Sequence, residues 1–145
     1  MQDLLVLLGG LRLRRRYVLD AGILALYFAG RMNVKRYIDE VYSGGAEAFM
    51  CEVNVAEFLY NYAGIFGWEA ALSRHALLRN SPIVIVGVDE DLTINAAKLK
   101  LKYYNVLSLA DCYLIALAKK NKAKVITTDQ DIKEVNEAPT ILIPI

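Results

Sequence analysis

The sequence predicts an α/β fold, a three-layer α/β/α sandwich around a central, mostly parallel sheet of about five short strands. Three observations point there. Short β-branched runs alternate with longer segments of helical periodicity along the whole chain. Ile83–Val88, IVIVGV, is continuously apolar, as in a strand covered on both faces. The composition is 56% hydrophobic over 145 residues, enough for a two-sided core, with no run of membrane-spanning length.

In chain order, Tyr17–Leu19 reads as a buried strand running straight into Asp20, which caps a helix over Ala21–Phe28 closed by Gly30. A second helix covers Val34–Tyr42 and stops at Gly44-Gly45, and Ala48–Cys51 is a second strand. Asn54 and Glu57 have capping-box spacing and open a helix whose apolar face is Phe58, Leu59, Tyr62 and Ile65. Trp68–Leu78 is a further helix, ended by Asn80-Ser81-Pro82. After the strand at Ile83–Val88, Asp89–Tyr104 has acids in its first turn and lysines near its end, matching the helix dipole.

Ser108 caps the next helix with Asp111 three residues on. Lys119, Lys120, Lys122 and Lys124 crowd its end. Val125–Thr127 is a strand followed at once by Thr128, Asp129, Gln130 and Asp131, and Thr140–Ile143 is the last strand. There is no repeat, low-complexity tract or linker, so residues 17–145 read as one domain.

Residues 1–16 read as an N-terminal extension, either an extra turn or a basic arm able to touch phosphates. Its apolar Leu4–Leu8 precedes Arg12, Arg14, Arg15 and Arg16, the reverse of a secretory signal. Cys51 and Cys112 fit neither a disulfide framework nor a zinc site, and read as buried thiols of a cytoplasmic protein. His75 is the single histidine, which excludes a multi-histidine metal site. A net charge of +1 gives no global field for nucleic acid, so any such contact uses local patches. Catalysis, if present, falls to carboxylates.

In an open parallel sheet, ligands bind beyond the carboxyl ends of the strands. Asp20 and Asp129 follow strands, and Glu57 and Asp111 start helices that begin at the same edge. Each acid has a capping explanation on its own, but capping does not require four to converge. Clustered carboxylates repel unless a cation balances them. With no histidine or cysteine in the set, a hard divalent ion, Mg²⁺ or Mn²⁺, is the expected ligand.

Four segments, YVLDAGILALYF, VNVAEFLYNY, LSLADCYLIALAKKNKAKVITTDQDI and TILIPI, resemble in order and spacing those of PIN-domain proteins. The resemblance is greatest to the ribonuclease toxin of VapBC-type toxin–antitoxin pairs, and covers Tyr17 to the C-terminus. It places the family's acids on Asp20, Glu57, Asp111 and Asp129, its hydroxyl residue on Thr127, and a further acid on Asp131. It implies a metal-dependent endoribonuclease, with Asp20 and Asp111 holding Mg²⁺ directly and Asp129 directly or through water. Glu57 would position water or a second ion, and Thr127 would orient a carboxylate or the nucleophilic water. Arg31, Lys35 and Arg36 follow Asp20 closely enough to grip RNA phosphates beside the acids.

The resemblance further implies a small antitoxin partner, a homodimer and no membrane. Tyr60, Tyr62, Phe66 and Trp68 are candidates for an apolar interface. One departure is Gly22, where the family usually carries Ser or Asn; this weakens any support for metal-bound water. Alternatives are an RNA- or protein-binding scaffold on the same fold, or an RNA-processing nuclease outside a toxin–antitoxin pair. An aspartyl-phosphate enzyme lacks its second acid, because Ala21 and Gly22 follow Asp20.

Overall fold

The structure, a computed structural model, describes residues 14–145. Most of the N-terminal extension, through residue 13, lies outside the described residues. Five strands form one sheet: β1 (Arg15–Leu19), β2 (Ala46–Cys51), β3 (Val84–Val86), β4 (Lys124–Thr127) and β5 (Thr140–Leu142). Their order is β3-β2-β1-β4-β5, and every pair is parallel, so the sheet is wholly rather than mostly parallel.

Among the described residues seven helices cover it: α1 (Ala21–Phe28), α2 (Met32–Tyr42), α3 (Glu52–Phe66), α4 (Trp68–Arg79), α5 (Glu90–Lys102), α6 (Leu109–Asn121) and α7 (Gln130–Val135). The strand pleat sorts them into two layers. Tyr17, Leu19, Ala48, Met50 and Ile126 point into a core shared with α1–α4. Val18, Cys51 and Val125 point to the other side, where Leu92, Leu114, Leu117 and Ile132 of α5, α6 and α7 pack. That alternation gives the α/β/α sandwich. Each fully buried aliphatic side chain such as Leu19, Leu114 or Leu117 contributes about 1.5–3 kcal/mol.

Turns occur where the sequence places its glycines. Gly30 and Gly44 sit at φ 79° and 85°, after α1 and α2, in the left-handed conformation that glycine adopts without steric cost. Lys122 takes the same position after α6 at φ 50°, and the following Ala123 N–H reaches back to Ala118 O at 2.9 Å. Cys51 and Cys112 are both free and fully buried.

Four elements differ from the sequence reading. Strand β1 starts at Arg15, because pairing with Ala46 and Glu47 of β2 carries the ladder through two exposed arginines. Helix α3 starts at Glu52, not Asn54, and Cys51 makes no side-chain cap, so Asn54 and Glu57 are not a capping box. The run Ile83–Val88 yields only three strand residues at the sheet edge, with Val84 and Val88 exposed. An apolar run is two-sided cover only when neighbours flank it, and β3 pairs with β2 alone. The short helix α7 was hidden in an acidic, turn-like stretch; Asp129 caps it by accepting from Asp131 N at 2.8 Å.

Candidate active site

Asp20 stands directly beyond β1, and its own N–H extends the ladder by donating to Ile126 O of β4 at 3.1 Å. This places Asp20 beside Thr127, the last residue of β4. The Thr127 hydroxyl donates to Asp20 Oδ2 at 2.6 Å, while Asp20 Oδ1 accepts from Ala21 N at 2.7 Å. Thr127 Oγ1 also accepts the backbone N–H of Asp129 at 3.0 Å. One fully buried hydroxyl therefore fixes both Asp20 and the chain that carries Asp129.

Asp111 enters from the first turn of α6. Ser108 Oγ accepts from Asp111 N at 3.1 Å, and Asp111 Oδ2 accepts from Ser108 N at 3.0 Å, a complete capping box. Glu57 lies in the second turn of α3, not the first. Asn54, one turn earlier, is fully buried and donates through Nδ2 to Ala110 O at 3.2 Å. That bond ties α3 to the residue before Asp111 and sets the spacing of the two acids. Asn54 is therefore a cross-helix tie and not the cap its spacing to Glu57 suggests; the signal for that role is a polar residue on the apolar stripe of α3.

The carboxylates act on one another. Burial pushes Asp20 above the usual carboxylate range, and Asp111 and Asp129 push the same way, against the Thr127 and Ala21 hydrogen bonds. Burial also raises Glu57, with Asp20 and Asp111 adding repulsion. Asp111 is raised by burial and by Asp129 and Asp131, partly offset by Ser108. Asp20, Glu57, Asp111, Asp129 and Asp131 thus share one rim of the sheet. As they stand, no three His, Cys, Asp or Glu side chains among the described residues are grouped closely enough to hold an ion. The donor chemistry nevertheless fits a hard cation: acceptor oxygens only, mutually repelling, with the buried Asn54 Oδ1 left without a partner one helical turn before Glu57.

The three basic candidates are placed differently. Arg31 is exposed at the start of α2, and Lys35 is paired to Asp39 one turn on. Arg36 lies over the Tyr37 ring, 4.6 Å from its centroid, and lines a cavity with Arg15 and Lys124, the first residues of β1 and β4. That is the edge opposite the acids, so Arg36 is not brought to them. Nor do the acids line the cavity of about 400 Å³ between α5 and α6, which Lys98, Lys102, Lys120 and Glu137 surround.

A family profile described as the PIN domain matches residues 17–138. The chain belongs to the PIN domain family. The fold is shared with solved structures at low identity. The VapBC2 complex of Rickettsia felis bound to a promoter DNA fragment has a TM-score of 0.73 at 13% identity, covering 88% of this chain and 98% of that one. VapBC-1 of nontypeable Haemophilus influenzae gives 0.68 at 15% identity, over 88% and 97%. The sarcin–ricin loop cleaving toxin VapC20 of Mycobacterium tuberculosis gives 0.65 at 17% identity, over 83% and 95%. None of the curated proteins is similar in sequence to this chain. In this PIN domain, Gly22 leaves room: a Cβ there would meet only Thr128 Oγ1, at 3.7 Å.

Of the apolar interface candidates, Tyr60, Phe66 and Trp68 are exposed. Tyr62 is instead buried against Phe28, Phe58 and Phe66, with Arg74 Nε donating to its hydroxyl at 3.2 Å. It belongs to the core because it lies on the same stripe of α3 as Phe58. Ile65, expected on that stripe, is 76% exposed near the end of α3. Among the described residues no helix is long and apolar enough to cross a membrane.

Proposed function

We propose that this PIN domain is a metal-dependent endoribonuclease, hydrolysing phosphodiester bonds in RNA as the toxin of a toxin–antitoxin pair. The observation that carries the reading is the mutual repulsion of Asp20, Glu57 and Asp111 on one rim, joined by Asp129 and Asp131. A protein gains nothing in stability from such a cluster, whereas a divalent cation such as Mg²⁺ or Mn²⁺ relieves it. The solved toxins that share the fold support the toxin assignment.

Asp20 and Asp111 would hold the ion directly, Asp129 directly or through water, with Asp131 as a further donor. When bound, the ion supplies Lewis acidity toward water and toward the phosphate oxygens. Thr127 keeps one lobe of Asp20 turned inward through its 2.6 Å hydrogen bond. Glu57 would position a water or a second ion, and burial beside Asp20 and Asp111 raises its affinity for a proton. Arg31, at the start of α2, meets substrate phosphates.

The partner is a small antitoxin that covers the rim. A shallow apolar cleft lined by Gly22, Ala25, Phe58, Ile65 and Phe66 begins directly after Asp20 and offers it a seat. Exposed Tyr60, Phe66 and Trp68 supply an apolar surface for a homodimer. Such a protein works in the cytoplasm.

The test is cleavage of total RNA by purified protein with Mg²⁺, with Mn²⁺ and with chelator. Cleavage that needs the ion and vanishes in Asp111→Asn supports the reading. Identical cleavage by that variant overturns it. Absence of any ion-dependent cleavage favours a binding scaffold, the reading to which Gly22 and the ungrouped carboxylates lean. Cleavage without any antitoxin gene nearby favours an RNA-processing role.

A further inference from the structure

At the edge of the sheet opposite the acids, the structure assembles cations that are far apart in sequence. Arg14 precedes β1, Arg15 and Arg16 open it, Lys122 caps the end of α6 and Lys124 opens β4, and together they line a cavity of about 360 Å³. Parallel pairing is the cause: Lys124 sits opposite Tyr17, so β4 and the end of α6 begin beside the first residues of β1. A second cavity shares Arg15 and Lys124 and adds Arg36, stacked on Tyr37.

Carboxylates neutralise only part of this shelf. Glu40 takes Arg15, and Glu47 lies 3.4 Å from Arg14 and 3.9 Å from Arg16. Among the described residues five cations therefore face two acids, a surplus of three before Arg36 is added. Among the described residues neither Lys122 nor Lys124 has an ion-pair partner, and both are exposed. The dipole of α6 favours one cation at its end, beside which Arg16 already donates to Asn121 O at 3.1 Å. It does not account for the others. In a chain of net charge +1, this surplus is local.

We propose that this shelf, Arg14–Arg16 with Lys122 and Lys124, is a docking surface for the phosphate backbone of the RNA substrate, distant from the cleavage rim. The proposal rests on the RNA substrate of the proposed function. From Arg15 to Asp20 is five residue steps of β1, about 17 Å at roughly 3.3 Å each. An A-form RNA stem advances only a few ångströms per base pair, so a short stem reaches from the shelf to the rim. Shelf contacts then select structured or extended RNA over short fragments and set its direction across the sheet. They position without reading bases.

Binding measured in chelator, where no cleavage occurs, isolates the shelf from the nuclease reading. Fluorescence anisotropy of a labelled RNA hairpin across a salt series compares wild type, Lys122→Gln/Lys124→Gln and a charge-matched control, Lys98→Gln/Lys133→Gln. The shelf variant is expected to bind about tenfold more weakly at 0.1 M salt, with the slope of log affinity against log salt smaller by about 1.4–1.8. Unchanged circular dichroism certifies its fold. Two variants that bind alike overturn the proposal, as does a loss confined to anionic vesicles with RNA binding intact. Wild-type protein without metal-dependent cleavage but with the slope difference retains the shelf and removes the nuclease reading. Normal cleavage with no slope difference does the reverse.

Discussion

Thr127 and Asp20, 107 positions apart in the chain, are joined by a hydrogen bond of 2.6 Å from hydroxyl to carboxylate. Thr127 is fully buried, and the same oxygen accepts Asp129 N. Thr127→Val keeps the shape but leaves Asp129 N–H and one Asp20 lobe unsatisfied. It is expected to cost about 1–3 kcal/mol in chemical denaturation. RNA cleavage should fall by about 10- to 100-fold, as for removal of a residue that orients a metal ligand. Thr127→Ser, which keeps the hydroxyl, should restore most of both.

Asp111→Asn removes one of the repelling charges while its side-chain carbonyl preserves the capping box with Ser108. In chelator at neutral pH, the variant should melt at or above the wild-type temperature, because the charge it removes is raised by burial and by Asp129 and Asp131. Added Mg²⁺ should raise the melting temperature of wild type and shift the variant less. A variant clearly less stable than wild type in chelator would count against a repulsive cluster.

Asn54 joins α3 to α6 through Ala110 O. Asn54→Leu strands that carbonyl and places a bulkier apolar group in a fully buried site. The expected loss is about 1–3 kcal/mol, read from urea midpoints. Activity should fall more than stability explains, because Glu57 and Asp111 lose their common spacer.

Gly22 is the second residue of α1, without a positive φ, and its missing Cβ would meet only Thr128 Oγ1. Gly22→Ser should fold normally and gain up to about 0.5–1 kcal/mol from reduced chain entropy. If the lost side chain once supported the ion's water, the half-saturating Mg²⁺ concentration for cleavage should fall. An unchanged value would show that position 22 does not bear on ion binding.

Glu137 is the hub of a separate network. Lys102 and Lys119 lie at 2.8 Å from its two oxygens, and Tyr103 OH donates to it; together they hold its carboxyl down to about 2. Because the folded value lies below the unfolded one, its stabilisation is complete above about pH 4.5 and is lost as pH falls toward 2. Glu137→Gln should lower the melting temperature at pH 6–8, where that stabilisation is fully present, and its gap to wild type should close as pH falls toward 2.

Much of this was legible in the chain. Ser108 and Asp111 announced the start of α6 because a capping box is a local pattern three residues long. Gly30 and Gly44 announced the ends of α1 and α2 because left-handed backbone is a local demand. The same locality misled at Asn54, whose spacing to Glu57 imitated a cap while its side chain was committed to another helix. It misled again at Ile83–Val88, since hydrophobicity records burial but not which neighbours supply it. Arg36 follows Asp20 by sixteen positions, yet α2 carries it down to the other edge of the sheet.

By itself the sequence determined the α/β class, the approximate elements, and the four acids expected at one rim from parallel topology. Only the tertiary structure decided that Thr127 grips Asp20, that Asn54 spaces Glu57 from Asp111, and that Arg14–Arg16 join Lys122 and Lys124. The reason is physical. Helix and turn signals are carried by residues within a few positions of one another, whereas side-chain partnerships across parallel strands follow from register, and register is set by the packed core on both faces of the sheet.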